Sequence, residues 1–335
     1  MLRRILIIGA VVMFIAAAAY LFYGGSPKSE KAGKRLYNIG IIDPDPPLKP
    51  AADGLRDRLK ELGYREGVDV SYVVIPAGKS VAETETQITA ALSSPLDLIF
   101  SSGIINARAA KNVTASSAPD LPVIFAVVSN PVENKLVASL ASSGNNITGV
   151  SPNNDLIVGK RIELFRNLFP GLRRVIFLWN DPITTGVGEV RSVASALGLA
   201  LVERRVANAK EIDEFLASFT PAKGDGFVRA TDAVNAQRAA QFLQWALDHR
   251  VPLSGTNVGD TEKGAFMSYG ANYYNLGRQA AVLAHKILRE GKKPSDLPIE
   301  PPAALELTLN KKTAALLGVD ISSEQASVVD RIIED

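Results

Sequence analysis

Cysteine is missing from all 335 positions. That absence excludes disulfides, thiolate nucleophiles, Cys-ligated zinc and iron–sulfur clusters, and with them the lipid-modified cysteine that anchors many exported bacterial proteins. Histidine is scarce as well, with only His249 and His285 available as imidazoles. Both fall in amphipathic helical stretches, far apart and without a Ser or carboxylate motif beside them, so they read as solvated helix residues rather than bases. Net charge is small: 37 Lys+Arg against 35 Asp+Glu. No basic block or zinc-finger spacing accompanies it, which argues against a nucleic-acid partner. Also missing are a P-loop, a dinucleotide-type glycine fingerprint after the first strand, a G-x-S-x-G elbow and an H-E-x-x-H pair. The expectation is a protein that is not an enzyme and holds no cofactor and no metal.

What is present begins with an uncharged run. Ile5 to Tyr23 carries no charge and follows Arg3 and Arg4. An apolar run of roughly 18 residues or more can span a bilayer, and the positive-inside rule places the two arginines in the cytoplasm. Ala16 to Ala19 offers a small-residue cleavage site, but a cut there would leave Tyr20-Leu21-Phe22-Tyr23 as an apolar new start. An uncleaved transmembrane anchor is therefore the first reading and a cleaved signal helix the second, over residues 1–24. Residues 25–35, rich in Gly, Ser, Lys and Pro, form a tether.

The composition of the whole chain is that of a globular protein, 47% hydrophobic and 21% charged, and its length exceeds what one core usually organises. Short apolar runs alternate with amphipathic helices. Tyr37 to Ile42, Val70 to Ile75, Asp97 to Phe100 and Val123 to Val127 read as strands. Leu55, Leu59 and Leu62 share the face of an intervening helix that Gly63 stops. The pattern then restarts, with a helix face of Val158, Ile162, Phe165 and Phe169. Strands follow at Val175 to Leu178, Leu199 to Arg204, Gly226 to Arg229, Val251 to Ser254 and Leu305 to Leu309. Ala239, Phe242, Leu243 and Ala246 mark one later helix; Leu276, Ala280, Leu283 and Ile287 mark another, closed by Gly291. Alternating β and α with short links predicts an α/β protein of two doubly wound parallel-sheet lobes. The Gly144 to Asp155 segment is the expected first crossing between them.

In open parallel sheets, ligands sit beyond the C-terminal ends of strands. Reading those positions gives Asp43-Pro44-Asp45, Ser101-Ser102-Gly103, Val128-Ser129-Asn130-Pro131, Trp179-Asn180-Asp181-Pro182, Arg229-Ala230-Thr231-Asp232 and Gly255-Thr256-Asn257, with Ser151 at the first crossing. Such residues are also ordinary helix caps and turn formers, so any one loop reads as capping before ligand contact. The case for a site rests on both halves presenting polar loops at equivalent strand ends, which would rim an inter-domain cleft. Asp232 is either a partner for a ligand ammonium or the cap of the helix near Val234. Trp179 either stacks on a ligand or walls the cleft. The prolines around Asp43 and Asp45 favour a rigid loop over a metal or acid/base pair.

The run Asn38-Ile39-Gly40-Ile41, the stretch Leu59-Lys60-Glu61-Leu62-Gly63-Tyr64-Arg65-Glu66-Gly67 and the segment Leu121 to Val132 resemble the first lobe of the TrpX-like ABC-transporter substrate-binding family. Asn146-Ile147-Thr148-Gly149-Val150-Ser151, Thr231-Asp232, Tyr273 to Gln279 and Leu317-Gly318-Val319 continue the resemblance to the C-terminus. It implies a type I periplasmic-binding-protein fold whose lobes close on a small-molecule ligand and deliver it to an ABC permease in the membrane. Lobe one would comprise residues 36–150 plus 271–297, and lobe two residues 151–270 plus 298–335. A monomer on the outer face of the cytoplasmic membrane is expected, taking an amino acid or a related compound. Asp43-Pro44-Asp45-Pro46-Pro47 stands where the family often has Gln and His-Pro, Ser101-Ser102-Gly103 replaces its Ala-Thr-Pro, Trp179 replaces its Tyr, and Ala233 its Asn. The resemblance thus carries the fold and leaves the ligand open. A competing reading is a membrane-tethered ligand sensor that signals to a partner without transport.

Overall fold

The computed structural model describes residues 35–44, 46–152, 157–180 and 186–334. The expected N-terminal span, most of the tether, Asp45 and the Asp181-Pro182 pair lie outside them.

The apolar runs become strands and the 3.6-residue patterns become helices. In chain order the first part holds β1 (Tyr37–Ile42), α1 (Lys49–Glu61), β2 (Val70–Ile75), α2 (Val81–Ala91), β3 (Leu98–Ser102), α3 (Ile104–Ser117), β4 (Val123–Ala126) and β5 (Ile147–Val150). The strands form a wholly parallel sheet in the order β2-β1-β3-β4-β5. Next come α4 (Val158–Leu168), β6 (Arg174–Trp179), α5 (Val187–Ala196), β7 (Ala200–Arg205), α6 (Ala209–Ser218), β8 (Asp225–Val228), α7 (Ala233–Gln237), α8 (Ala239–Asp248), β9 (Leu253–Gly255), α9 (Val258–Glu262) and β10 (Met267–Gly270). The chain ends with α10 (Tyr273–Glu290), β11 (Glu306–Asn310), α11 (Lys311–Leu316), α12 (Ser323–Ser327) and β12 (Arg331–Ile333). The second sheet runs β12-β11-β10-β9-β8-β6-β7.

Each sheet is covered on both faces, which is why its strands read as nearly unbroken apolar runs. On one side of the first sheet, Ile39, Ile41, Leu98 and Phe100 pack with Leu55 and Leu59 of α1 and with Leu276, Ala280 and Leu283 of α10. On the other, Ile42, Ile99, Val123 and Phe125 pack with Ile88 of α2 and Ala107 and Ala110 of α3. The second sheet is covered by α4 and α5 on one face, through Ile162, Phe165 and Val190. Its opposite face takes α6 and α8, through Ile212, Phe215, Phe242 and Trp245. The α1–α10 contact is made by backbone. A Cβ placed on Gly277 would lie 1.8 Å from the Ala51 carbonyl oxygen, and one on Gly54 would lie 2.0 Å from that of Tyr274. Only glycine fits either position.

The structure revises several expectations. β3 extends through Ser101 and Ser102, which were read as loop. The presumed crossing at Gly144 to Asp155 contains an edge strand, β5, and the chain leaves the first sheet only at Ser151. β10 and β12 were not read as strands. One pair in the second sheet, β10–β11, is antiparallel, with Gly270 opposite Glu306. The cause is where the chain enters. β11 is reached from the first sheet, so it starts at the edge where β10 stops and runs back.

That entry point sets the geometry. Glu300 pairs with Val150 at the C-terminal end of β5, and its carbonyl accepts the Ser151 N–H at 2.9 Å. Residues 301–305 then lead to Glu306, opposite the last residue of β10. A link of this length spans at most about 20 Å. A second link, 151–157, runs from the end of β5 to α4, whose second turn lies against the ends of β8 and β10. A third, Ala271-Asn272, runs from the end of β10 to α10. All three links leave from C-terminal strand ends, so the corresponding edges of the two sheets are joined to each other.

Candidate functional site

On the first edge, Asp43 is exposed and its N–H donates to the Ile75 carbonyl at 2.7 Å. Ser101 and Ser102 are buried, and neither hydroxyl has a hydrogen-bond partner. Being one residue apart on a strand, they point to opposite faces. Ser102 shares the side of Phe100 and α10, whereas Ser101 shares that of Ile99, α2 and α3. Beside them the N-cap of α3 is Gly103, which offers no side-chain cap. After β4 the backbone turns through two left-handed residues, Val127 at φ +59° and Asn130 at φ +49°. A β-branched residue there is strained by about 1–3 kcal/mol, and such strain concentrates at ligand-binding turns. Asn134 fastens this turn, its N–H donating to the Asn130 carbonyl at 2.9 Å and its Nδ2 to that of Ser129 at 3.0 Å. Ser129 and Asn130 are half-buried; Ser151 is buried.

On the second edge, Trp179 is the last residue of β6, and its ring packs on the core. Its indole N–H is buried without an acceptor. Asn180 is buried, and its Nδ2 donates to the Val206 and Ala207 carbonyls at 2.6 and 3.3 Å, fastening the β7–α6 loop. Thr231 is half-buried in the bend after β8. Of the two readings of Asp232, the structure displays the cap. Its Oδ1 accepts the Asn235 N–H and its Oδ2 the Asn235 Nδ2, each at 2.8 Å. Asn257 is the N-cap of α9 and half-buried. The two histidines stay away from both edges. His249 stacks on Trp245, and His285 lies against Tyr64, half-buried rather than solvated.

The densest part of the second edge is a group of which the strand-end loops read from the sequence include Arg229, Thr256 and Asn257 but not Arg161, Asp260 or Tyr273. Arg229, directly after β8, donates from Nη2 to Thr256 Oγ1 at 2.7 Å and forms a short ion pair with Asp260. Asp260 Oδ2 also accepts the Thr256 N–H at 2.7 Å and the Thr256 hydroxyl at 3.0 Å. Burial raises the Asp260 carboxyl, but the Arg229 charge and these hydrogen bonds outweigh it and hold the group below its ordinary value. Arg161 of α4 is fully buried. Its Nε donates to the Tyr269 carbonyl at 3.1 Å and its Nη1 to that of Arg229 at 3.4 Å, while Nη2 has no partner. Burial, aided by the neighbouring Arg229, lowers this guanidinium to about 10, so it stays charged at neutral pH. Asn257 Nδ2 lies 3.1 Å from Thr256 Oγ1 and 3.5 Å from the hydroxyl of Tyr273, the first residue of α10. Burial, and then the Asp260 charge, pushes that phenol up to about 12. One signal for this group was available. Arg161 falls three residues after Val158 and four before Phe165, inside an apolar helix stripe.

Among the described residues no group of His, Cys, Asp and Glu is placed to hold a metal ion, and no helix is long and apolar enough to cross a membrane.

Similarity to known proteins agrees with this architecture. The family model described as ABC transporter substrate binding protein matches residues 38–330. A tyrosine-binding protein of Clostridioides difficile strain R20291 is 27% identical over 307 residues, covering 90% of this chain and 86% of the relative. Among solved structures, a conserved domain protein from Vibrio cholerae superposes with a TM-score of 0.75 at 24% identity, over 90% of this chain and 100% of that one. An ABC domain from Streptococcus pneumoniae in complex with L-Trp gives 0.74 at 23%, again over 90% and 100%.

Proposed function

The chain belongs to the ABC transporter substrate binding protein family, and from that premise we propose that it captures an amino acid between its two lobes and hands it to an ABC permease. It is a binding protein rather than an enzyme. The observation that carries the reading is the common departure of all three links from C-terminal strand ends. Two rims of polar loop tips so joined can close on one solute, and a solute that bonds to both favours the closed arrangement. We assign lobe one to residues 36–150 plus 271–297 and lobe two to 151–270 plus 298–335, with the links as hinges. Ser102 and the Trp179 indole N–H, both lacking partners, contact the ligand with Ser129, Asn130 and Thr231. Asn180 and Asp232 keep their loops in shape. Asp43, Ser101, Ser151 and Asn257 complete the rims. The tyrosine- and tryptophan-binding relatives favour an aromatic amino acid, held outside the cytoplasm by the N-terminal segment.

Isothermal titration of the full-length chain with L-tyrosine, L-tryptophan, L-leucine and myo-inositol tests this. Saturable one-to-one binding of at least one of the amino acids, with a smaller radius of gyration by X-ray scattering in the complex, is expected. Binding of inositol alone, or of none of the four, would refute the amino-acid assignment.

A further inference from the structure

The second edge carries an unbalanced buried charge. Arg161 and Arg229 are both buried, and among the described residues Asp260 is the acidic group whose charge acts on Arg161; Tyr273, the other ionisable group beside it, is neutral at physiological pH. Among the described residues, two cations stand against one anion, an excess of one positive charge in a region of low dielectric. An uncompensated buried charge is costly, and a fold retains one where a partner arrives from outside. The guanidinium of Arg161 is also held ready. Two of its nitrogens are fixed on the strand-end carbonyls of Tyr269 and Arg229, and the third has no acceptor. A buried donor without a partner is rare enough to require an explanation. From this cluster the network reaches outward through Thr256 to the half-buried Asn257 and Tyr273. Tyr273 stands where the chain passes from the end of β10 into α10, and Asn257 caps α9 at the end of the neighbouring β9.

We propose that this cluster is the subsite for an anionic group of the ligand. A carboxylate is received at Asn257 and Tyr273 and selected by the positive field of the Arg161–Arg229 pair, with Arg161 as a specificity-determining residue acting from beneath. The assignment rests on the solute-binding reading above and adds to it the end of the solute that lobe two recognises. Because the field acts across a dry interior, it discriminates an anion from its neutral isostere more strongly than an exposed arginine would.

The test compares ligands that differ in that group alone. For the full-length wild type, L-tyrosine is expected to bind about 30-fold more tightly than L-tyrosinamide, the scale of one charge-assisted contact. Arg161→Gln is expected to lower the affinity for L-tyrosine by about 10-fold or more and that for L-tyrosinamide by less than about 3-fold. Equal losses for acid and amide would mean a purely structural arginine, and no loss for either would mean no role; both overturn the proposal. If Arg161→Gln does not fold, the half-buried Asn257→Ala and the wild-type acid/amide ratio decide the matter in the same way. Should no amino acid bind, the amino-acid reading fails by itself. The subsite is then tested with benzoate against benzyl alcohol at constant ionic strength. A rise in melting temperature with benzoate alone, abolished in Asn257→Ala, supports it, and identical curves overturn it.

Discussion

At the end of β3 the first sheet leaves the hydroxyls of Ser101 and Ser102 buried with nothing to bond, beside a turn bent through left-handed Val127 and Asn130. At the ends of β8 and β9 the second sheet does the reverse. Arg229, Thr256 and Asp260 are bonded to one another, and Asn180 and Asp232 are committed to neighbouring loops. The first edge carries one exposed carboxylate, Asp43, and open hydrogen-bonding capacity in its buried hydroxyls. The second is charged, and its Arg229–Thr256–Asp260 network is bonded internally, with Arg161 Nη2 and the Trp179 indole N–H left over. One can adapt to a solute's polar groups, while the other holds its shape before any solute arrives. The two edges therefore offer different chemistry, a fixed charged network on one and unbonded hydroxyls on the other.

The contrast breaks most visibly at Asp260. Asp260→Ala would leave two buried guanidiniums without a counter-charge, and a loss of about 3–5 kcal/mol is expected by urea denaturation. A loss under about 1 kcal/mol would mean that the second edge is not held together by this network. Asp232→Ala should cost about 1 kcal/mol, the value of an N-cap, and should loosen the segment from Ala233 to Gln237 in hydrogen exchange. Ser102→Ala sharpens the opposite side. Its hydroxyl bonds to nothing in the folded protein, so stability should change by less than about 0.5 kcal/mol. Affinity for the amino acid that titration identifies should fall about 10-fold if the hydroxyl meets it. The smallest effect is expected far from both edges, at Glu61. Hydrogen bonds from Arg278, at 2.7 and 2.9 Å, and then from Arg58 lower its carboxyl from 4.5 to about 2. A lowered folded value means that its contribution is present above pH 4.5 and is lost as the pH falls through about 2. Glu61→Gln should therefore differ slightly from wild type at pH 6 and converge with it in this acid window, as thermal melts would record. The pair is exposed, so the difference is small and screened by salt.

The repeating architecture was legible because buried parallel strands and amphipathic helices leave strong periodic marks. Tyr37 to Ile42, Val70 to Ile75 and the Leu276–Ala280–Leu283 face of α10 were each read from the sequence where the structure has them. β5 was hidden by its own composition. Gly149 lowers its β propensity, yet a Cβ there would lie 2.2 Å from the Phe125 carbonyl oxygen, so glycine is needed for the strand to pair at all. β10 ends in a glycine and β12 is three residues long; neither gives a run distinguishable from a linker. The polar edges were harder for a different reason. Capping and ligand contact call for the same residues, and only coordinates show that the Asp232 oxygens are engaged by Asn235 while the Ser102 hydroxyl is not. The charged cluster draws Arg161, Arg229, Asp260 and Tyr273 from four places in the chain, and only their meeting makes them a unit.

The path of the chain through α10 has a bearing on how the molecule can be cut. A fragment stopping at Val150 would carry every strand of the first sheet but leave Ile39, Leu55 and Phe100 bare where Leu276, Ala280 and Leu283 should lie. Such a piece would be prone to aggregate on expression. A single proteolytic nick within 301–305, by contrast, leaves two covalent connections between the halves, and the clipped protein should remain whole until it is denatured.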